Sequence, residues 1–397
     1  MHKQKRAMGT ITLATLLAIS LLMSVGCDGS NKKNATETSD MNETGITITD
    51  ITENESGITI TGITETEDST PEKTIDEKLA FLDDSVFQGT VLIAKEGEIV
   101  FEKSYKYSNI ESQALNTNDT IYEIGSITKQ FTAVGLMMLV EDGKINLDDT
   151  LDKYIPEYSH AGEVTIRQLL NMTSGIVDYW NDGIWLQDYD LYSKEMLKFI
   201  DQKVDFATVL DMVDTYDLEF VPGSSWDYSN TGYCFLSEVI ARVSGMTYED
   251  YMMKNVLTPA GLKTASFDPN QNTSTGYAVN TPVTFQLIEI PDLEMTGEDV
   301  RMTADDLYTW TQVIINQELL SEESWNEILN GGEDGYGFGL MIKQGKWGHT
   351  GETWGFSSEE VVFAKSNVVM ITLSNIRGYS ATESRIMSNV EEYFDLN

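Results

Sequence analysis

Histidine and cysteine are scarce in this 397-residue chain, with three of the first and two of the second. His2 lies in a leader-like stretch, so only His160 and His349 remain for chemistry. A metal site built on two or three histidines would then need heavy carboxylate help. No G-x-S-x-G elbow and no Walker A loop occurs. Gly335-Tyr-Gly-Phe-Gly339 lacks dinucleotide spacing and a following helix, and reads as an approach to a strand. No metal and no cofactor is expected. Cations are few as well: 26 Lys and Arg against 64 Asp and Glu give a formal net charge of −38. Such a field repels nucleic acid and anionic membrane surfaces.

Long apolar runs are also lacking. The longest, Ile11 to Val25, follows the cations Lys3, Lys5 and Arg6 and ends in small residues before Cys27. It is short for a bilayer span and reads as the h-region of a signal peptide over residues 1–26. Cys27 directly after it resembles the bacterial lipobox, with Ser24 where leucine is usual. That implies lipidation of Cys27 and an exported chain held at the outer face of the cell membrane, or secreted if lipid is not attached. The membrane would be met only through that anchor. Cys234, in Gly-Tyr-Cys-Phe-Leu, reads as a buried structural thiol.

Residues 27–74 are rich in Thr and Glu and nearly free of aromatics, a composition that buries too little to offset its ordering entropy. They read as a disordered tether, although the GITIT repeats at Gly45–Thr49 and Gly57–Thr61 could pair as strands. The folded part, 75–397, begins with a helix over Glu77–Phe87. A hairpin of Thr90–Ala94 and Glu98–Tyr105 follows. Apolar spacing predicts a helix from Ser126 to about Glu141, stopped by Gly143. Helices and loops fill the middle. Strands return at Gly337–Lys343, Lys346–His349, Ser358–Ala364 and Val368–Asn375, and a helix over Thr382–Phe394 closes the chain. The pattern is α/β (α+β): an antiparallel sheet completed by both chain ends and flanked by helices, with a mainly helical insertion.

Ser126 and Lys129 stand three apart at a helix start, hence on one face. A serine there meets free N–H groups and the positive end of the helix dipole, and a desolvated amine could take its proton. By itself S-x-x-K reads equally as a serine N-cap followed by a solvated lysine. Downstream, however, come Tyr228-Ser-Asn230 and Gly348-His349-Thr350-Gly351, in that order. Smaller pieces accompany them: Leu169-Leu-Asn-Met-Thr-Ser-Gly175 and Thr303-Ala-Asp-Asp-Leu307. Together, over about Phe87 to Asn375, these resemble the penicillin-recognising serine hydrolases: class C β-lactamases, D-Ala-D-Ala carboxypeptidases and related esterases.

The resemblance implies a β-lactamase/transpeptidase-like fold and a serine hydrolase acting through an acyl-enzyme. It implies Ser126 as nucleophile, Lys129 as its base and Tyr228 as the phenol relaying protons. It implies Asn230, His349, Thr350, Gly351 and Glu352 as substrate-binding, with an oxyanion hole from the backbone N–H groups of Ser126 and Glu352. Each such donor is worth about 3 kcal/mol. The substrate would be a small peptide, ester or β-lactam, including cell-wall peptide. Three departures bear on that choice. His349 replaces a permanent lysine cation, Glu352 stands where a small residue is frequent, and Met172 where histidine is frequent. A Glu352 carboxylate facing the cleft would disfavour substrates with a free carboxylate, unless Arg301 offset it. Peptidase or esterase activity is therefore favoured over β-lactamase. A surface-binding or sensor lipoprotein that no longer turns over is the alternative from another class.

Overall fold

The computed structural model describes residues 46–54, 57–65, 73–179, 205–268, 271, 273–279, 287–289, 300–353, 355–378 and 380–396. The leader 1–26 and Cys27 lie outside the described residues.

The Ile-Thr repeats form a hairpin. β1 (Ile46–Asn54) pairs antiparallel with β2 (Gly57–Glu65), in a unit that ends at Glu72. Over these residues the reading of a disordered tether is corrected. Low hydrophobicity argued for disorder, but alternating β-branched Ile and Thr favour extended backbone, and that local preference gives the pairing seen here.

The unit from Lys73 onward is built on α1 (Ile75–Leu79), β3 (Gly89–Lys95), β4 (Glu98–Tyr105), β5 (Tyr122–Glu123), α2 (Thr128–Glu141), α3 (Asn230–Ser244), β6 (Arg301–Met302), α4 (Ala304–Ile315), β7 (Met341–Lys343), β8 (Lys346–Glu352), β9 (Ser357–Phe363), β10 (Val368–Ser374) and α5 (Ser380–Tyr393). Shorter helices occupy the middle, including Ile166–Leu170 and Phe206–Val213. α1 is shorter than expected. A capping box of Thr74 and Glu77 starts it, and from Ala80 the chain tightens into a 3₁₀ turn.

Six strands form one antiparallel sheet in the order β7-β8-β9-β10-β3-β4. Val368 pairs with Lys95 and Ser374 with Gly89, so the two ends of the domain meet at the sheet centre, as the strand pattern predicts. Both central strands are buried almost throughout because helices cover both faces. Period-2 alternation sorts their side chains. Val91, Ile93, Val368 and Met370 pack with Leu79, Ile386 and Val390 from α1 and α5. Leu92, Ala94, Val369 and Ile371 face the larger core of α2, α3 and α4.

A polar group is sealed in that larger core. Glu360 on β9 is fully buried. Its Oε2 accepts from Gln130 Nε2 at 2.5 Å, and Gln130 Oε1 accepts from the Trp310 indole N–H at 2.8 Å. Thr311 Oγ1 lies 2.9 Å from the Leu307 carbonyl and 2.5 Å from Glu360 Oε1. Thr311 Oγ1 thus stands between two acceptors, donating to Glu360 Oε1 with the Leu307 carbonyl also in reach. Burial holds the Glu360 carboxyl above its ordinary range, against the lowering effect of its bonds from Gln130 and Thr311.

A carboxyl so raised favours the fold fully below its unfolded pKa of about 4.3, and that contribution is lost as pH rises through the folded value. Glu360→Gln keeps the partners and cannot ionise. Its urea-unfolding free energy should gain on wild type steadily from pH 4 upward. A difference flat in pH would show that Glu360 does not titrate this way.

Candidate active site

Ser126 sits in a 3₁₀ turn, Gly125–Ile127, that leads into α2, rather than at the helix N-cap. The turn is pressed against the end of β8, and two glycines permit the approach. Gly125 adopts φ +52°, and a Cβ on it would stand 2.9 Å from the Glu352 backbone nitrogen. On Gly351 a Cβ would stand 2.0 Å from the Ile124 carbonyl oxygen and 2.4 Å from Ser358 Oγ. Ser358 Oγ donates to that same carbonyl at 2.8 Å, locking β9 to the turn. The Glu352 N–H is thereby brought beside the turn that carries Ser126.

Lys129, one turn into the helical path, is completely buried. Its Nζ donates to Ser126 Oγ at 3.0 Å and to Asn230 Oδ1 at 2.9 Å. It also lies 5.1 Å from the ring centroid of Tyr228 and 5.6 Å from that of Tyr233, within cation–π range. The solvated-lysine reading of S-x-x-K is thus excluded. Gly339, at φ +73°, passes so close behind that a Cβ would meet the Lys129 carbonyl oxygen at 2.5 Å. The Gly335–Gly339 stretch is therefore a loop closing the back of the site, and β7 begins only at Met341.

Tyr228 precedes Ser229, whose hydroxyl caps α3 by accepting from Gly232 N. Asn230 is the first helical residue of α3. Asp178, itself buried, accepts from both its backbone N–H at 2.9 Å and its Nδ2 at 3.0 Å. Met172 is buried beneath the same loop at φ +64°. Its carbonyl accepts from Asp227 N and its sulfur from Ser229 N. It supports the Tyr228 loop from below.

His349 on β8 is buried. Its Nδ1 lies 2.5 Å from the Thr350 carbonyl, which can only accept, so Nδ1 carries the proton. Nε2 then accepts from the Tyr336 hydroxyl at 3.1 Å. Burial, reinforced by the Lys129 charge, pushes His349 down to about 3. It is a neutral imidazole at physiological pH and does not replace a lysine cation. Thr350 alternates to the exposed side of β8, while Gly351 is buried.

Glu352 is half-exposed and faces Arg377, whose Nη2 is 3.5 Å from its Oε2. The counter-charge anticipated at Arg301 is not supplied by that residue. Arg301 is buried on β6, 2.9 Å from Glu123 Oε1 of β5, in an ion pair that fixes the strand leading to Ser126. The structure thus brings Ser126, Lys129, Tyr228, Asn230 and His349 together and places Thr350, Gly351 and Glu352 along the adjoining strand. Asp178, Tyr336 and Arg377 were missed by the sequence reading. No spacing rule links them to the motifs, and only Tyr336, inside the glycine-rich stretch, carried a local signal.

The Beta-lactamase family matches residues 73–389, and the chain belongs to that family. It is 29% identical to penicillin-binding protein 4* of Bacillus subtilis (strain 168), over 77% of this chain and 72% of that protein. It is 28% identical to the putative penicillin-binding protein PbpX of the same strain, over 77% of this chain and 75% of that protein. Among solved structures, a D-stereospecific amidohydrolase from Streptomyces sp. shares the fold with a TM-score of 0.68 and 23% identity, over 81% of this chain and 97% of that one. The chain is a serine hydrolase of this family.

Gly351→Ala should force Ile124 away from β8. The expected result is a loss of about 1–3 kcal/mol in unfolding free energy, typical of overpacking, together with slower acylation of Ser126. Urea melts and labelling rates measured on the same preparation check both; wild-type behaviour in both would refute the close approach.

Proposed function

We propose that this protein hydrolyses peptide-like amides or esters in two steps through an acyl-enzyme on Ser126. The observation that carries the reading is the buried Lys129 amine, held 3.0 Å from Ser126 Oγ by its second bond to Asn230. Once deprotonated, that amine accepts the Ser126 proton as Oγ bonds to the acyl carbon. The oxyanion so formed is taken by the N–H groups of Ser126 and Glu352. The C–N or C–O bond then breaks as Tyr228 delivers its proton to the leaving group and is left a phenolate. That phenolate takes a proton from water, whose oxygen attacks the ester, and Oγ leaves with the proton held on Lys129, freeing the acid and restoring Ser126. Thr350 and the second Nδ2 hydrogen of Asn230 are the groups proposed to hold the substrate.

A neutral His349 supplies no cation for a substrate carboxylate, and the Arg377 counter-charge is spent on Glu352. The acyl donors this site suits best are therefore those uncharged beside the scissile bond. D-amino-acid amides, peptides of the cell-wall type and simple esters qualify better than β-lactams. The names of the relatives, penicillin-binding proteins and a D-stereospecific amidohydrolase, agree in chemistry. The leader and Cys27 support export and attachment to the outer face of the membrane by lipid.

Incubation with a fluorophosphonate probe should add one adduct, on Ser126, and Ser126→Ala should add none. Tyr228→Phe should abolish steady-state turnover of D-amino-acid amides and small esters. A folded wild-type protein that neither labels nor turns over any of them would sink the proposal in favour of a non-catalytic binding role. For the anchor, cells fed labelled palmitate should mark the wild-type chain and not Cys27→Ser; label on neither would overturn lipidation.

A further inference from the structure

The proposed mechanism leaves one buried charged group beside the site without a task. Asp178 is 3% exposed, and its Oδ2 accepts both the backbone N–H and the Nδ2 of Asn230. Its own backbone is stitched to the start of α3 on either side: Thr231 Oγ1 donates to the Val177 carbonyl at 2.9 Å and accepts from Tyr179 N at 2.9 Å. Asp178 is therefore held as rigidly as the residue it touches.

We infer that Asp178 is a positioning residue for the Ser126 acylation step, acting through Asn230 to set the direction of the Lys129 lone pair. The inference rests on the proposed role of Lys129 as base. A carboxylate only accepts, so it fixes which end of the Asn230 amide it faces. Nδ2 is drawn to Asp178, and Oδ1 is left pointing at Lys129. A neutral amine has two hydrogens and one lone pair. With Oδ1 in place, one hydrogen is committed to Asn230 and the lone pair is left for the Ser126 proton. A flipped amide would present Nδ2 to Lys129, and the amine would spend its lone pair there. The chain Asp178–Asn230–Lys129–Ser126 thus generalises the arrangement in which a third group orients the base. Through Asn230 the carboxylate also stands two hydrogen bonds from Lys129, and a negative charge there favours the ammonium form.

Among the described residues, titratable groups around Lys129 include Tyr228, Tyr233 and His349, with Tyr336 behind His349. Burial keeps Tyr233 a phenol and His349 an uncharged imidazole, so neither changes charge between pH 5 and 8.

The test measures fluorophosphonate labelling rates of Ser126 against pH in wild type, Asp178→Asn and Thr231→Val. Asp178→Asn keeps the volume and one acceptor but loses the charge and lets the amide pair reorient. Its labelling should slow on the order of 10- to 100-fold, the usual size when a group that orients a reacting residue is changed. Its acid limb should also move to lower pH, because Lys129 loses a stabilising negative charge. Thr231→Val removes the stitching bonds without the charge and should leave the acid limb where it was. Equal rates and limbs in wild type and Asp178→Asn would overturn the inference. So would a slower Asp178→Asn with an unmoved limb, since that marks a merely structural role. Absence of label in wild type would defeat the Ser126 reading itself and is distinguishable from either.

Discussion

The site depends on one buried cation. Lys129 is sealed from water with its Nζ shared between Ser126 Oγ and Asn230 Oδ1. A buried ammonium is costly unless it is bonded, and its neighbours are arranged as that cost requires. Asn230 supplies the acceptor, Tyr228 and Tyr233 supply ring faces, and Gly339 lets the chain close behind it.

The rest of the fold brings these groups to one place from distant parts of the chain. The 3₁₀ turn before α2 carries Ser126 and α2 carries Lys129, the entry to α3 carries Tyr228 and Asn230, and β8 carries His349 to Glu352. Gly125 and Gly351 allow the first and last of these to touch, and Ser358 bonds them. On the next strand Glu360 sits opposite His349 in the register. Burial pushes both toward their uncharged forms, the imidazole down and the carboxyl up.

Much of this was legible in the sequence, because ordered motifs and periodic apolar residues are local signals. The hairpin at Thr90–Tyr105, the helix ending at Gly143 and the four C-terminal strands fall close to where their patterns place them. Ser126 was placed at a helix start, and a 3₁₀ turn holds it instead. That half-turn difference depends on β8 pressing against Gly125, a contact no local pattern encodes. Asp178, Tyr336 and Arg377 were invisible for the same reason, since each acts across a tertiary contact. Arg301 was assigned to Glu352 from charge alone, whereas strand pairing gives it to Glu123. The Ile-Thr repeat shows the opposite case, in which strand propensity overrode a composition that argued for disorder.

The seam between β3 and β10 has a consequence for how the molecule is made. β3 is completed near the start of the domain, yet its neighbour at the sheet centre, Val368–Ser374, comes near the domain's end. Such long-range pairing gives a high contact order and slow folding, because a large loop must close before the contact rewards it. A nascent chain therefore cannot lock its central sheet until almost the whole domain is available. A chain truncated before Val368 leaves β3 as an open, apolar edge exposed to aggregation.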